Sequence, residues 1–111
     1  MDMPWQISYF NRRIQDEILS WPPGIKARYL KVADLMVAYG PDLGMPHTRA
    51  MGSGLFEIRL KSREGIARVF FCTQAGQWIK ILHCFIKKTS KTPSRELDIA
   101  RRRLMETKGN A

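Results

Sequence analysis

The sequence predicts an α+β fold, one antiparallel-rich sheet with a helical hairpin and a C-terminal helix against it. Three observations point there. Apolar residues before Gly40 recur at helical period, Leu55–Ile86 breaks into three strand-like runs, and Thr92-Pro93 opens a last helical stretch. The 111 residues suit one compact domain, 1–111, with one modest core.

Trp5–Phe10 alternates as a short first strand. Asn11 is placed to cap a helix running to about Trp21, with Ile14, Ile18 and Trp21 on one face. Pro22-Pro23-Gly24 breaks it. A second helix carries Ile25, Tyr29, Val32, Met36 and Tyr39 as an apolar stripe, which reads as core, and stops at Gly40-Pro41. Residues 41–54, rich in Gly, Pro and Met, read as a loop.

In Leu55–Lys61, Phe56, Ile58 and Leu60 share one face while Glu57, Arg59 and Lys61 share the other. After a turn at Ser62–Gly65, Ile66–Cys72 is a nearly apolar strand interrupted by Arg68. A turn at Thr73–Gln77 leads to Trp78–Ile86, apolar enough for a strand covered on both faces, with Lys80 and His83 as exceptions. The last helix runs from Thr92-Pro93 to about Glu106 on a thin apolar edge of Leu97, Ala100 and Leu104, and Lys108–Ala111 is expected to fray. Asp98 is spaced to pair with Arg102, and Arg101-Arg102-Arg103 reads as a solvated helix face. The predicted order is β-α-α-β-β-β-α.

The net charge of +9 is uneven. Residues 1–56 hold six basic and five acidic side chains, a net of +1, whereas 57–111 hold thirteen and five, a net of +8. Such a half-chain attracts phosphate backbones, although a basic surface serving solubility alone would have the same composition. The start MDMPWQISYF lacks the basic and apolar regions of an export signal, and no apolar run reaches the ~20 residues of a membrane span. A cytoplasmic location and no membrane partner are expected. Cys72 and Cys84 fall on consecutive strands and are expected as reduced, buried thiols, with a cross-strand disulfide as the alternative.

Arg59, Lys61, Arg68, Lys87, Lys88 and Lys91 converge if the three later strands form a meander. RNA cleavage by internal attack needs a base for the 2′-hydroxyl proton, cations for the phosphorane-like charge and an acid for the leaving oxygen. Clustered lysines have lowered pKa values and suit the proton steps, and an arginine fork suits the phosphate. A structural role for Arg68, paired with Glu57 across strands, is equally available. His83 reads more readily as a hydrogen-bonded core histidine, and His47 lies in a loop. No Gly-rich phosphate loop, HExxH or CxxC pattern occurs, so no metal or cofactor is called for.

With LFEIR, GIARVFF and ILHCFIKKTSKTP followed by a basic helix, the sequence resembles the RelE/HigB-like toxins of bacterial and phage toxin–antitoxin systems, in their phage-derived branch. The resemblance covers almost the whole chain. It implies a RelE-like domain that cuts mRNA on the ribosome, and a cognate antitoxin of helix-turn-helix, HigA-like type. It puts Arg59, Arg68 and Lys88, with Lys87 beside it, at catalytic positions. From their place among or after the strands, Lys61, Lys91, Arg95 and His83 are expected as contacts to RNA. The C-terminal tyrosine of several RelE-type enzymes has no counterpart, because Tyr9, Tyr29 and Tyr39 all lie in the first half. Base stacking then falls to Phe85, Trp78 or His83. The competing class is a ParE-like gyrase inhibitor, or a basic module that binds RNA or ribosomes without cutting.

Overall fold

The computed structural model describes residues 3–88 and 91–109. The elements are β1 (Gln6–Tyr9), α1 (Arg12–Leu19), α2 (Pro23–Tyr39), β2 (Thr48–Gly52), β3 (Leu55–Ser62), β4 (Gly65–Gln74), β5 (Trp78–Lys87) and α3 (Ser94–Gly109). One five-stranded sheet has the order β1-β5-β4-β3-β2, with β1 parallel to β5 and every other pair antiparallel. The α+β expectation holds, with one correction. The supposed loop 41–54 contains β2, an edge strand pairing with β3 from Thr48↔Ile58 to Gly52↔Leu55. A register shift between Ala50 and Gly52 breaks its alternation, so the period-2 signal is lost in the sequence.

The sheet separates two cores. On one face α1 and α2 bury Ile14, Ile18, Ile25, Tyr29, Val32 and Met36 against Ile58, Leu60, Val69, Phe71, Ile79 and Ile81. Asn11 caps α1 as expected, its Oδ1 accepting from the Ile14 N–H at 3.0 Å. Pro22 offers α2 no side-chain cap. The Glu64 carboxylate, from the turn between β3 and β4, accepts from the Gly24 N–H instead and sets a negative charge at the helix N-terminus. The expected apolar stripe of α2 ends early, for Tyr39 is exposed. A spacing of seven residues drifts by roughly 20° per repeat on a straight helix, which carries the stripe off the seam over two repeats. Gly40 then turns the chain at φ +92°, where a Cβ would stand 3.1 Å from Trp5 Nε1.

On the other face α3 buries Ala100 and Leu104 against Leu55, Phe70, Cys72, Leu82 and Phe85. Two of its three consecutive arginines are anchors, contrary to the solvated face expected. Arg101 Nη2 donates to the Met51 carbonyl at 3.1 Å. Arg103 Nη1 donates to the Leu82 carbonyl at 2.8 Å, and its guanidinium lies 5.1 Å from the Phe10 ring centroid. Lys108, expected to fray, donates to the Ser53 carbonyl at 2.8 Å within a helix that continues to Gly109; residues 110–111 lie outside the described residues. Cys72 and Cys84 are free and buried in opposite cores, which rules out a bond between them, and burial pushes both thiols above their ordinary range.

Among the described residues, no helix is long and apolar enough to cross a membrane. None of their His, Cys, Asp and Glu side chains gather in a group able to hold a metal ion.

Candidate functional site

Strand alternation decides which side chains share the α3 face. On β3 it carries Leu55, Glu57, Arg59 and Lys61. The register sets Arg59 opposite Arg68, Lys61 opposite Ile66, Arg68 opposite Phe85 and Ile66 opposite Lys87. Helix α3 covers the end with Leu55, Phe70 and Phe85. At the other end a pocket of about 520 Å³ opens, with Arg59, Lys61, Ile66, Arg68 and Lys87 on its sheet side. The rest of its lining, its far wall, is Met45, Pro46 and His47 beside β3 together with Arg28, Val32 and Leu60, which belong to the α2 side of the sheet, so the pocket takes in residues from both faces.

Beneath the cations lies a carboxylate. Glu57 has no solvent exposure. Its Oε1 is 3.3 Å from Arg59 Nη1 and 3.5 Å from Arg49 Nη2, and its Oε2 is 3.6 Å from Arg68 Nε. A buried carboxylate is tolerated only with partners, and buried guanidiniums need the reverse. Glu57 therefore lets three arginines crowd together while the group as a whole stays cationic. Arg68 is 5% exposed and also donates from Nη1 to the Ala67 carbonyl at 3.0 Å. Burial first, and then Arg59, hold its pKa below the usual guanidinium value, against the pull of Glu57. Lys87, at the pocket edge, is likewise held below the ordinary lysine value, by desolvation first and then by Arg68 and Arg59. A lysine so placed gives up its proton more readily than one in water.

Of the eight site residues expected from sequence, Arg59, Lys61, Arg68 and Lys87 meet in the pocket. Lys88 follows β5, exposed and outside the pocket lining. Lys91 and Arg95 are exposed, before α3 and in its first turn. Thr89 and Ser90 of the KKTSKTP segment lie outside the described residues. His83 does not join the pocket. Its Nε2 is 3.1 Å from Glu96 Oε1, and Arg103 Nη1 stands 3.4 Å from its Nδ1, so it acts as a joint between sheet and α3. That is the core role weighed for it above.

The aromatic platforms also need correcting. Phe85 is 8% exposed and stacks between Phe70 and His83, at 6.1 Å from each. Trp78 starts the strand that ends at Lys87, roughly 30 Å away at ~3.3 Å per residue. Neither reaches the pocket. The sequence reading missed Arg49, hidden by the irregular β2, and the far wall of Arg28, Met45, Pro46 and His47. Only the topology brings that wall to β3, and no local pattern announces it.

Residues 16–105 match the family described as Phage derived protein Gp49-like (DUF891). The fold is similar to a chain in the crystal structure of an archaeal RelE–RelB complex from Pyrococcus horikoshii OT3. The two share 20% sequence identity and a TM-score of 0.58, over 79% of this chain and 100% of that one. No curated protein matches the sequence.

Proposed function

The chain belongs to the phage-derived Gp49-like family, and we propose that it is the toxin of a type II toxin–antitoxin pair, an endoribonuclease that cuts mRNA on the ribosome and so inhibits translation. One observation carries this reading: Arg59, Lys61, Arg68 and Lys87, from three neighbouring strands, line one pocket. The RelE-like fold supports it. The whole chain, 1–111, acts as one toxin domain in the cytoplasm.

The reaction needs no metal or cofactor. The 2′-oxygen attacks the adjacent phosphorus while its proton passes to the neutral amine of Lys87, whose lowered pKa suits a base. Arg68 and Arg59 hold the non-bridging oxygens as charge builds on them. The bond from phosphorus to the 5′-oxygen breaks, and a neighbouring ammonium, Lys61 or Lys88, protonates that oxygen. The products are a 2′,3′-cyclic phosphate and a 5′-hydroxyl end. Lys91 and Arg95 hold the RNA backbone and the ribosome.

The partner is a cognate antitoxin of helix-turn-helix, HigA-like type. A related fold occurs in a RelE–RelB complex, which supports a protein partner, while the HigA-like type rests on the sequence resemblance. The test is primer extension on translated messages with purified ribosomes: cuts that need both the protein and the ribosome support the reading. The second reading, a ParE-like gyrase inhibitor or a non-cutting RNA or ribosome binder, draws on the engagement of Arg68 by Glu57. Its signature is growth arrest without cut messages.

A further inference from the structure

We propose that the far wall of the pocket is a nucleobase subsite, in which Met45, Pro46 and Arg28 receive the base of a nucleotide whose phosphate sits on Arg68 and Lys87. Its use on RNA rests on the ribonuclease reading; its existence as a binding site does not.

The pocket has two unlike halves. The sheet side supplies cations, of which Arg68 is held by Glu57 and Lys87 is a point charge, so this side suits phosphate. The wall supplies apolar surface and one guanidinium plane. Met45 is 61% exposed, and among the described residues it is the one exposed large apolar side chain that lines this pocket. It adds nothing to either core.

The tip that carries it is nevertheless held firmly. The Gly44 carbonyl accepts from the His47 and Thr48 N–H groups, each at 3.0 Å. The Gly44 N–H donates to Thr48 Oγ1 at 3.0 Å, and Thr48 is buried. The Arg59 N–H donates to the His47 carbonyl at 2.9 Å, which fastens the tip to the strand bearing the cations. An exposed apolar wall held in place beside a phosphate site is preorganised for a flat partner. Nucleobases present such faces, and aromatic or arginine planes receive them. A pocket of about 520 Å³ lies in the range used by small ligands, roughly 300–1,000 Å³. An acidic peptide would satisfy the cations but leave the wall wet.

The experiment titrates the full chain with the four ribonucleoside monophosphates, ribose 5-phosphate and inorganic phosphate, following methionine methyl groups by NMR. At least one mononucleotide should bind about tenfold tighter than ribose 5-phosphate and shift the Met45 methyl. Met45→Ala and Arg28→Ala should bring nucleotide affinity down to that of ribose 5-phosphate while the sugar phosphate still binds. Both residues are exposed, so the variants should fold, as amide spectra would check. Equal affinity for all probes, an unmoved Met45 methyl, or an acidic hexapeptide that binds as tightly as the nucleotides would overturn the subsite. Base-dependent binding without any cut message would overturn the nuclease and keep the subsite; cuts without base-dependent binding would do the reverse.

Discussion

Arg68 Nε stands 3.6 Å from Glu57 Oε2, diagonally across β3 and β4, and neither atom has a hydrogen-bond partner among the described residues. The two therefore attract by charge without the directional bond that would lock them. Such a guanidinium is held in place yet keeps donor capacity for a phosphate oxygen. The structural pairing and the functional role, alternatives in the sequence, are compatible in this geometry.

Removing the carboxylate tests the first half of that statement. Glu57→Gln leaves the buried Arg68 guanidinium, and the partly exposed Arg59 and Arg49 beside it, without a counter-charge. Breaking a buried ion pair from one side costs on the order of 3–5 kcal/mol. Urea unfolding should show a loss of about 3 kcal/mol. A midpoint unchanged from the parent would mean that Glu57 contributes no net stability to the cluster.

Removing the donor tests the second half. Arg68→Lys keeps a positive charge but loses the planar fork, so the fold should persist by circular dichroism. Cleavage should fall by ~10²–10³, the range for losing one preorganised donor. A folded variant with undiminished growth arrest would put Arg68 on the structural side alone.

Lys87 makes a pH prediction whose sign is fixed by the direction of its shift. Its pKa lies below the ordinary lysine value, so the neutral amine gains population at lower pH than in water. If that amine is the base, single-turnover cleavage should rise with pH and level off below the range where a free lysine titrates. Lys87→Arg, which stays protonated, should lose the rise. The same profile in the variant would assign the titration elsewhere.

The cations outside the pocket should behave differently. Phosphate contacts on single strands each contribute roughly 0.7 to the slope of log affinity against log salt. Lys91→Ala and Arg95→Ala should each flatten that slope for a single-stranded RNA while leaving the folded spectrum intact. An unchanged slope in both would remove them from the RNA path.

Much of this was legible in the sequence, and the failures share a cause. Alternation in Leu55–Lys61 sorted Glu57, Arg59 and Lys61 onto one face, and a lone arginine in an apolar run marked Arg68. Both signals are local. The Glu64 cap on α2 spans forty residues, and the Met45–His47 wall meets Arg68 only through the pairing of β2, β3 and β4. Single-chain periodicity carries no information at that range. Arg103 failed for another reason: a run of three arginines looks solvated until a facing carbonyl and ring are known to lie within reach.

The last prediction concerns the partner. A half-chain of net +8 ending in an open cationic pocket attracts an acidic or amphipathic chain, and charge complementarity makes such association fast and selective. An antitoxin that inactivates stably should bury at least about 1,000 Å² and cover the pocket or block entry to the ribosome. Expressed alone, the protein should arrest growth and accumulate poorly. Expressed with the proposed antitoxin, it should yield a soluble complex that leaves translated messages whole. Reversing charge at Lys61 and Lys87 together separates the two modes of neutralisation. If the partner covers the pocket, the complex should dissociate faster and become less sensitive to salt. If it acts by bulk at the ribosome, affinity should be unchanged. A protein harmless on its own, with no cuts on active messages, would end the nuclease reading and bring the gyrase or silent-binder alternatives forward.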